Sequence, residues 1–151
     1  MLCDIGNGTM NVMFVNDKKP NPAKCYTEKF GTHKCMLEVR ENLMRVHHTE
    51  PPEEMITRVL RFGTADIDGA YLKTIIDTAR EYAAVIFRRL RDYGYDPKLM
   101  KLYIVGGGGC LIRNFADYDE SRVIINDDIC TTAKGYERML EMKLFRIGGK
   151  V

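Results

Sequence analysis

Long apolar runs are missing from this 151-residue chain. The strongest, Leu102 to Val105, stops at four glycines and falls far short of the about 20 residues that a membrane-spanning helix needs. The N-terminus also lacks the basic-then-apolar layout of a signal peptide, so a cytoplasmic protein is expected. Charge of one sign is scarce as well. The 23 Lys and Arg stand against 21 Asp and Glu, a net charge of +2, which leaves no field strong enough to select nucleic acid or an anionic membrane. No C-x-x-C pair occurs. The five cysteines, Cys3, Cys25, Cys35, Cys110 and Cys130, are scattered and odd in number, which fits reduced thiols better than a disulfide framework. Cys25, His33 and Cys35 lack a fourth partner and match no structural zinc spacing. Internal repeats and low-complexity segments are absent too.

What the sequence does contain is a soluble domain's balance, 45% hydrophobic and 29% charged, and enough length for one domain with a core of its own. A single domain over residues 1–151 is expected. Leu2 to Ile5 and Met10 to Val15 flank Gly6-Asn7-Gly8, which is a β-hairpin signal. A polar turn with two prolines, Asn16 to Pro22, then leads to a third strand at Cys25 to Phe30. Thr32 reads as the cap of a helix from His33 to Val46, with Met36, Leu37, Val39, Leu43, Met44 and Val46 on its buried side.

From about 47 to 64 a small excursion is expected, its short helix started by Pro51-Pro52 and ended by Gly63. The clearest helix follows, from Asp66 to Tyr93, because Leu72, Ile75, Ile76, Ala79, Ala83, Ile86, Phe87 and Leu90 recur at helical spacing. Acidic Asp66 and Asp68 at its start and Arg88, Arg89 and Arg91 at its end complement the helix dipole, which accounts for the arginine run without a partner. After Pro97 come a buried strand at Leu102 to Val105, a short helix at Cys110 to Phe115, a strand at Val123 to Ile125 and a last helix from Ile129 to Phe145. The order is three antiparallel strands, helices, then β-α-β-α.

Two segments carry candidate chemistry. In Asp4-Ile5-Gly6-Asn7-Gly8-Thr9 a carboxylate ends a strand and is followed by a turn stripped of side-chain bulk and by a hydroxyl. Such a turn lets backbone amides approach a phosphate, with Thr9 as a further donor and Asp4 able to hold a metal-bound water. A plain hairpin turn explains the same residues, and both readings stand at this stage. Gly106, Gly107, Gly108 and Gly109, between a buried strand and a helix, can present amides to an anion or let a flat ring lie on bare backbone. Four glycines in a row exceed what a tight turn needs, which favours a ligand. A dinucleotide fold would also place glycines after a strand and an acid, Asp127, about twenty residues on. Its third glycine would fall on Leu111 or Ile112, so the fingerprint fails.

Together these segments resemble a known superfamily. Asp4 to Thr9 is similar to the second phosphate motif of the actin, chaperone and sugar kinase ATPases. Leu102 to Ile112, with its V-G-G-G-G-C-L-I core, is similar to their adenosine motif. Asn126 to Tyr136, ending in T-A-K-G-Y, resembles their second connecting motif, with Ala133 and Gly135 as hinge residues. The order of the three, with the long helix before the adenosine strand, is most similar to plasmid-segregation actins of the ParM or StbA type. The resemblance covers nearly the whole chain.

It implies a ribonuclease-H-like, actin-type α/β fold with a mixed sheet, and the second half of a nucleotide-binding unit that takes ATP or ADP with magnesium. Asp4 would orient the magnesium hydration shell or the attacking water, Gly6, Asn7, Gly8 and Thr9 would face the β- and γ-phosphates, and Gly106 to Gly109 would line the adenosine side. Asn7 departs from the small residue the family often has there. The full-length parent would polymerise with ATP and move plasmid or related DNA through a DNA-bound adaptor. The first phosphate motif has no room before Leu2, so the chain is expected to be a trimmed or truncated half, inactive by itself. Two other readings are a non-polymerising nucleotide-regulated scaffold or kinase relative of the same fold and a dinucleotide-dependent oxidoreductase.

Overall fold

The computed structural model describes residues 1–126 and 128–148. Strands β1 (Leu2–Ile5), β2 (Met10–Asn16) and β3 (Lys19–Glu28) form an antiparallel meander. Helices α1 (Thr32–His47), α2 (Glu53–Phe62) and α3 (Gly69–Asp92) follow, then β4 (Leu102–Val105), α4 (Gly109–Phe115), β5 (Val123–Ile125) and α5 (Thr131–Gly148). β4 lies parallel to β1 and β5 parallel to β4, which makes one mixed five-stranded sheet in the order β3-β2-β1-β4-β5.

Alternation along the strands decides where the core sits. Cys3 and Ile5 of β1, Met10, Val12 and Phe14 of β2, Leu102 and Ile104 of β4 and Val123 of β5 are buried, and they form one cluster with the inward residues of α1 to α4. α3 supplies the largest share, with Ile75, Ala79, Tyr82, Ala83, Ile86, Phe87 and Leu90 buried. Its start is fixed by Asp68, whose carboxylate accepts from Ala70 N at 2.8 Å and Tyr71 N at 3.4 Å. The helix thus begins at Gly69, three residues after the expected Asp66.

Three expectations change. β3 begins at Lys19, not Cys25, because the turn is only Asp17-Lys18, both left-handed at φ 50° and 64°. Pro20 and Pro22 then lie within the strand, which is possible because β3 is an edge strand. It stops at Glu28, where Arg89 Nη1 meets Glu28 Oε2 at 2.6 Å and Tyr93 donates its hydroxyl to the same carboxylate; Phe30 instead turns into the core. On α1 the buried face is Cys35, Met36, Val39 and Leu43, while Leu37, Met44 and Val46 are exposed. The six apolar residues expected to be buried spread around more of the helix than one packed face can cover. Thr32 is the first helical residue; the cap is Gly31, which has no side chain to cap with.

Candidate nucleotide site

Parallel pairing of β1 with β4 brings their carboxyl ends side by side, with Asp4 opposite Val105. Each strand runs directly into one of the two glycine turns, so the turns meet at the end of the sheet where open α/β folds bind their ligands.

The first turn is closed by Gly6 N donating to Thr9 O at 2.9 Å. Its carbonyls hold the start of α1: Thr32 N donates to Gly6 O at 3.1 Å and His33 N to Asn7 O at 2.9 Å. The hydroxyl of Thr32 adds a contact to Asn7 Oδ1 at 3.4 Å. This closeness depends on Gly31, where a β-carbon would lie 2.3 Å from Asn7 O. Tyr82 fixes the same residue from the core, donating its hydroxyl to Gly31 O at 2.8 Å while its ring stacks on Phe30 at 4.5 Å. Burial pushes the Tyr82 phenol well above its ordinary range, so the donor keeps its proton. Gly8 has open space where a β-carbon would go, and Thr9 Oγ1 lies 3.5 Å from Asn11 Nδ2.

The second turn is built against β1. Gly108 N donates to Ile5 O at 2.9 Å, and Gly109 N to Gly106 O at 3.0 Å. Gly106 has φ +86°, and a β-carbon on it would stand 2.5 Å from Asp4 Oδ1 and 2.7 Å from Ile5 O. One on Gly108 would stand 2.3 Å from Ile5 Cγ2. Two of the four glycines therefore serve the close approach of this turn to β1, a structural demand that length of run alone did not suggest. Gly107 is exposed, Gly109 is buried as the first residue of α4, and Asp4 is half-buried. The Asp4 carboxylate accepts from Thr132 Oγ1 of α5 at 3.2 Å.

Between the turns and α2 opens a cleft of about 650 Å³. Of the residues expected at a site, Asn7 and Gly107 line it directly. Asp4 and Gly106 lie together behind them, and Gly6, Gly8, Thr9, Gly108 and Gly109 belong to the same two turns without lining the cleft. The excursion turns out to be a wall: Glu53, Thr57 and Arg61 of α2 face the cleft, with Thr32 and His33 of α1 and Arg113 of α4 around it. Asn114 Nδ2 holds α2 in place by donating to Leu60 O at 3.2 Å and Arg61 O at 3.0 Å. Arg61, Arg113 and one acid, Glu53, leave the wall basic, which suits an anion. Glu53, Thr57, Arg61 and Arg113 did not stand out in the sequence, since no motif carries them, and Thr32 and His33 stood out only as a helix cap and as part of a rejected zinc grouping.

Asp4 does not line the cleft, but a single carboxylate beside the turns suits magnesium, which keeps much of its water shell and is held through one or two carboxylates and the phosphates of its substrate. Among the described residues no group of three or more His, Cys, Asp or Glu is placed to hold a metal. Cys3 and Cys35 lie in the core, where burial pushes each thiol up to about 12.

Solved structures share this fold. An archaeal actin homologue superposes with a TM-score of 0.72 at 18% identity, over 94% of this chain and 47% of that one. The chain has the actin-like fold. This actin-like chain also matches a pCBH ParM non-polymerisable quadruple mutant, with a TM-score of 0.67 at 17% identity over 93% of this chain and 46% of the other. ParM of Bacillus thuringiensis, solved with ATP, gives 0.59 at 18% identity, over 85% and 41%. The actin-like chain thus spans less than half the length of these relatives. No protein-family model matches it, and no curated protein is similar enough in sequence to match. The antiparallel β1-β2-β3 meander also departs from the parallel units of a dinucleotide fold; Asp127, on which that reading depended, lies outside the described residues.

Proposed function

We propose that this chain is the second, C-terminal half of the nucleotide-binding unit of an actin-like ATPase, and that its cleft takes ATP or ADP with magnesium. The observation that carries the reading is the meeting of Asn7 and Gly107 on one basic-walled cleft, at the carboxyl ends of paired parallel strands. The ParM structures solved with ATP, ADP and AMPPNP support a nucleotide as the ligand class.

In this reading the turn at Gly6, Asn7, Gly8 and Thr9 binds the β- and γ-phosphates through the backbone amides of Asn7 and Gly8 and the Thr9 hydroxyl, the Gly6 amide being the one that closes the turn on Thr9 O. The Gly107 amide faces the α-phosphate and adenosine, since those of Gly108 and Gly109 are bonded to Ile5 O and Gly106 O. Asp4, at the strand end, would orient the attacking water by accepting a hydrogen bond from it. Asp4 would hold the magnesium ion through water, and the bound ion supplies neutralisation of phosphate charge. Arg61 and Arg113 are placed to bind or steer the anion.

The full-length parent, in the same proposal, is a cytoplasmic protein that polymerises with ATP and segregates plasmid or related DNA through a DNA-bound adaptor, with Ala133 and Gly135 at its hinge. Among the described residues no helix is long and apolar enough to cross a membrane. Calorimetry tests the half-site: the isolated chain should bind magnesium ATP more weakly than micromolar and show no steady turnover. Micromolar binding with turnover by the chain alone would overturn it. Pelleting of the parent with ATP tests polymerisation, and its absence under every nucleotide condition would favour a non-polymerising scaffold or kinase relative.

A further inference from the structure

Asn7 stands where a small residue would serve the first turn, and Gly8 follows it where neither packing nor conformation asks for glycine. The β-carbon position of Gly8 is open space, and Gly8 is not among the left-handed glycines, Gly63, Gly94 and Gly106. Of the chain's seven asparagines it is Asn7 alone that precedes a glycine; the others precede Val12, Asp17, Pro22, Leu43, Phe115 and Asp127. A side chain on the following residue hinders its nitrogen from reaching the asparagine amide, and glycine leaves that approach open.

The surroundings of the pair favour the same attack. Both residues are exposed. Among the described residues nothing accepts from Gly8 N and Asn7 Nδ2 has no partner, so neither the attacking nitrogen nor the leaving amide is held. The amide oxygen is engaged instead: Thr32 Oγ1 donates to Asn7 Oδ1 at 3.4 Å. A donor there draws electrons from Cγ and stabilises the oxyanion that forms when a nucleophile adds. Thr32 is kept in position by its own amide, which donates to Gly6 O at 3.1 Å.

We infer that Asn7 is a site of spontaneous deamidation, and that the product closes the cleft to phosphate. Gly8 N attacks Asn7 Cγ and gives up its proton, the Cγ–Nδ2 bond breaks, and ammonia leaves with that proton. Water then opens the resulting succinimide. Addition at Cγ breaks the new bond and leaves aspartate at position 7; addition at the main-chain carbonyl breaks the original peptide bond and leaves isoaspartate. Either product puts a carboxylate at a residue that lines the cleft. Isoaspartate also lengthens the main chain by one bond and turns the former Asn7 carbonyl into the free carboxylate. That carbonyl accepts from His33 N at 2.9 Å and sits where a β-carbon on Gly31 would lie 2.3 Å away, so the seat of α1 has no room for the change. The modification stands on the turn's own geometry, whereas the closure rests on the nucleotide reading. A phosphate bound at Gly8 N–H occupies the attacking nitrogen, so nucleotide should shield Asn7.

Incubation of the full chain at mildly alkaline pH without nucleotide, followed by peptide mapping with electron-transfer fragmentation, tests the modification. Residue 7 should exchange ammonia for water and give isoaspartate fragments while the other six asparagines stay intact. Gly8→Ala and Thr32→Val, checked as folded by circular dichroism, should each slow the exchange severalfold. An Asn7 that stays intact in the folded chain while a peptide of residues 4–11 converts overturns the inference, and an unchanged rate in Thr32→Val overturns the part given to the hydroxyl. For the closure, magnesium ATP should slow the exchange, and Asn7→Asp should weaken ATP binding by about tenfold or more, as a like charge beside the phosphates does. A chain that converts at residue 7 but shows no response to ATP refutes the nucleotide reading and keeps the modification. Equal ATP binding by Asn7→Asp and the unaltered chain overturns the closure.

Discussion

Replacing Gly106 with alanine tests how the two turns are joined. At φ +86° an L-residue is strained, by about 1–2 kcal/mol. The new β-carbon would stand 2.5 Å from Asp4 Oδ1 and 2.7 Å from Ile5 O. The carboxylate can swing aside, but Ile5 O accepts from Gly108 N at 2.9 Å within the joint itself and cannot. Overpacking of this kind costs typically about 1–3 kcal/mol. The stiffer unfolded chain returns roughly 0.4–1 kcal/mol. The net loss is then on the order of 2–4 kcal/mol, a large share of the roughly 5–15 kcal/mol that keeps a domain folded. Urea unfolding followed by circular dichroism should show the midpoint fall by about 1–2 M with an unchanged slope. Gly8→Ala is the control, because nothing lies within 4 Å of its β-carbon position; it should be neutral or gain a few tenths of a kcal/mol. If Gly106→Ala unfolds at the wild-type midpoint, the turns are not braced against each other as described.

Further outcomes follow from the same contacts. Tyr82→Phe removes the donor to the buried Gly31 carbonyl and should cost about 1–3 kcal/mol in urea unfolding, with faster amide exchange at the start of α1. Asn114→Ala frees the two carbonyls at the end of α2 and should cost about 1–2 kcal/mol, with exchange accelerating in Glu53–Phe62 while α3 stays protected. The buried thiols set an alkaline limit. Each of Cys3 and Cys35 is raised from 9.0 to about 12 by burial, so the folded state holds its protons where the unfolded state has released them. Their contribution to stability is complete below pH 9.0 and is lost as pH rises towards about 12. In a thiol-labelling assay at pH 8, Cys25 and Cys130 should react at once, and Cys3 and Cys35 only after unfolding.

How much of this was legible in the sequence depends on how local each signal is. The hairpin at Gly6-Asn7-Gly8, the helix around Ile75 to Leu90 and the strand ahead of Gly106 announce themselves by periodicity and by breakers next to the elements they end. The start of β3 does not, because Asp17 and Lys18 form a left-handed turn without a glycine and the prolines beyond it are tolerated only by an edge. Which side of α1 is buried is set by α3 and the sheet, so Leu37 and Met44 could not be told from Met36 and Val39 by hydropathy. The site divides the same way. Asp4 and the glycine turns are visible as motifs, whereas Gly31 matters only because α1 starts against Asn7 O. Thr57 and Arg61 reach the cleft only because Asn114 fastens α2 beside α4. Gly106 and Gly108 show the converse: a run that looked like ligand chemistry is partly a packing requirement.

The most direct test of the nucleotide reading is a nitrogen–proton NMR titration of the 151-residue chain with magnesium ATP. The account predicts saturable shifts of the backbone amides of Gly6 to Thr9 and Gly106 to Gly109, together with Arg61 of the cleft wall, at a dissociation constant weaker than micromolar. Amides of both turns that stay unmoved at millimolar ATP would contradict it.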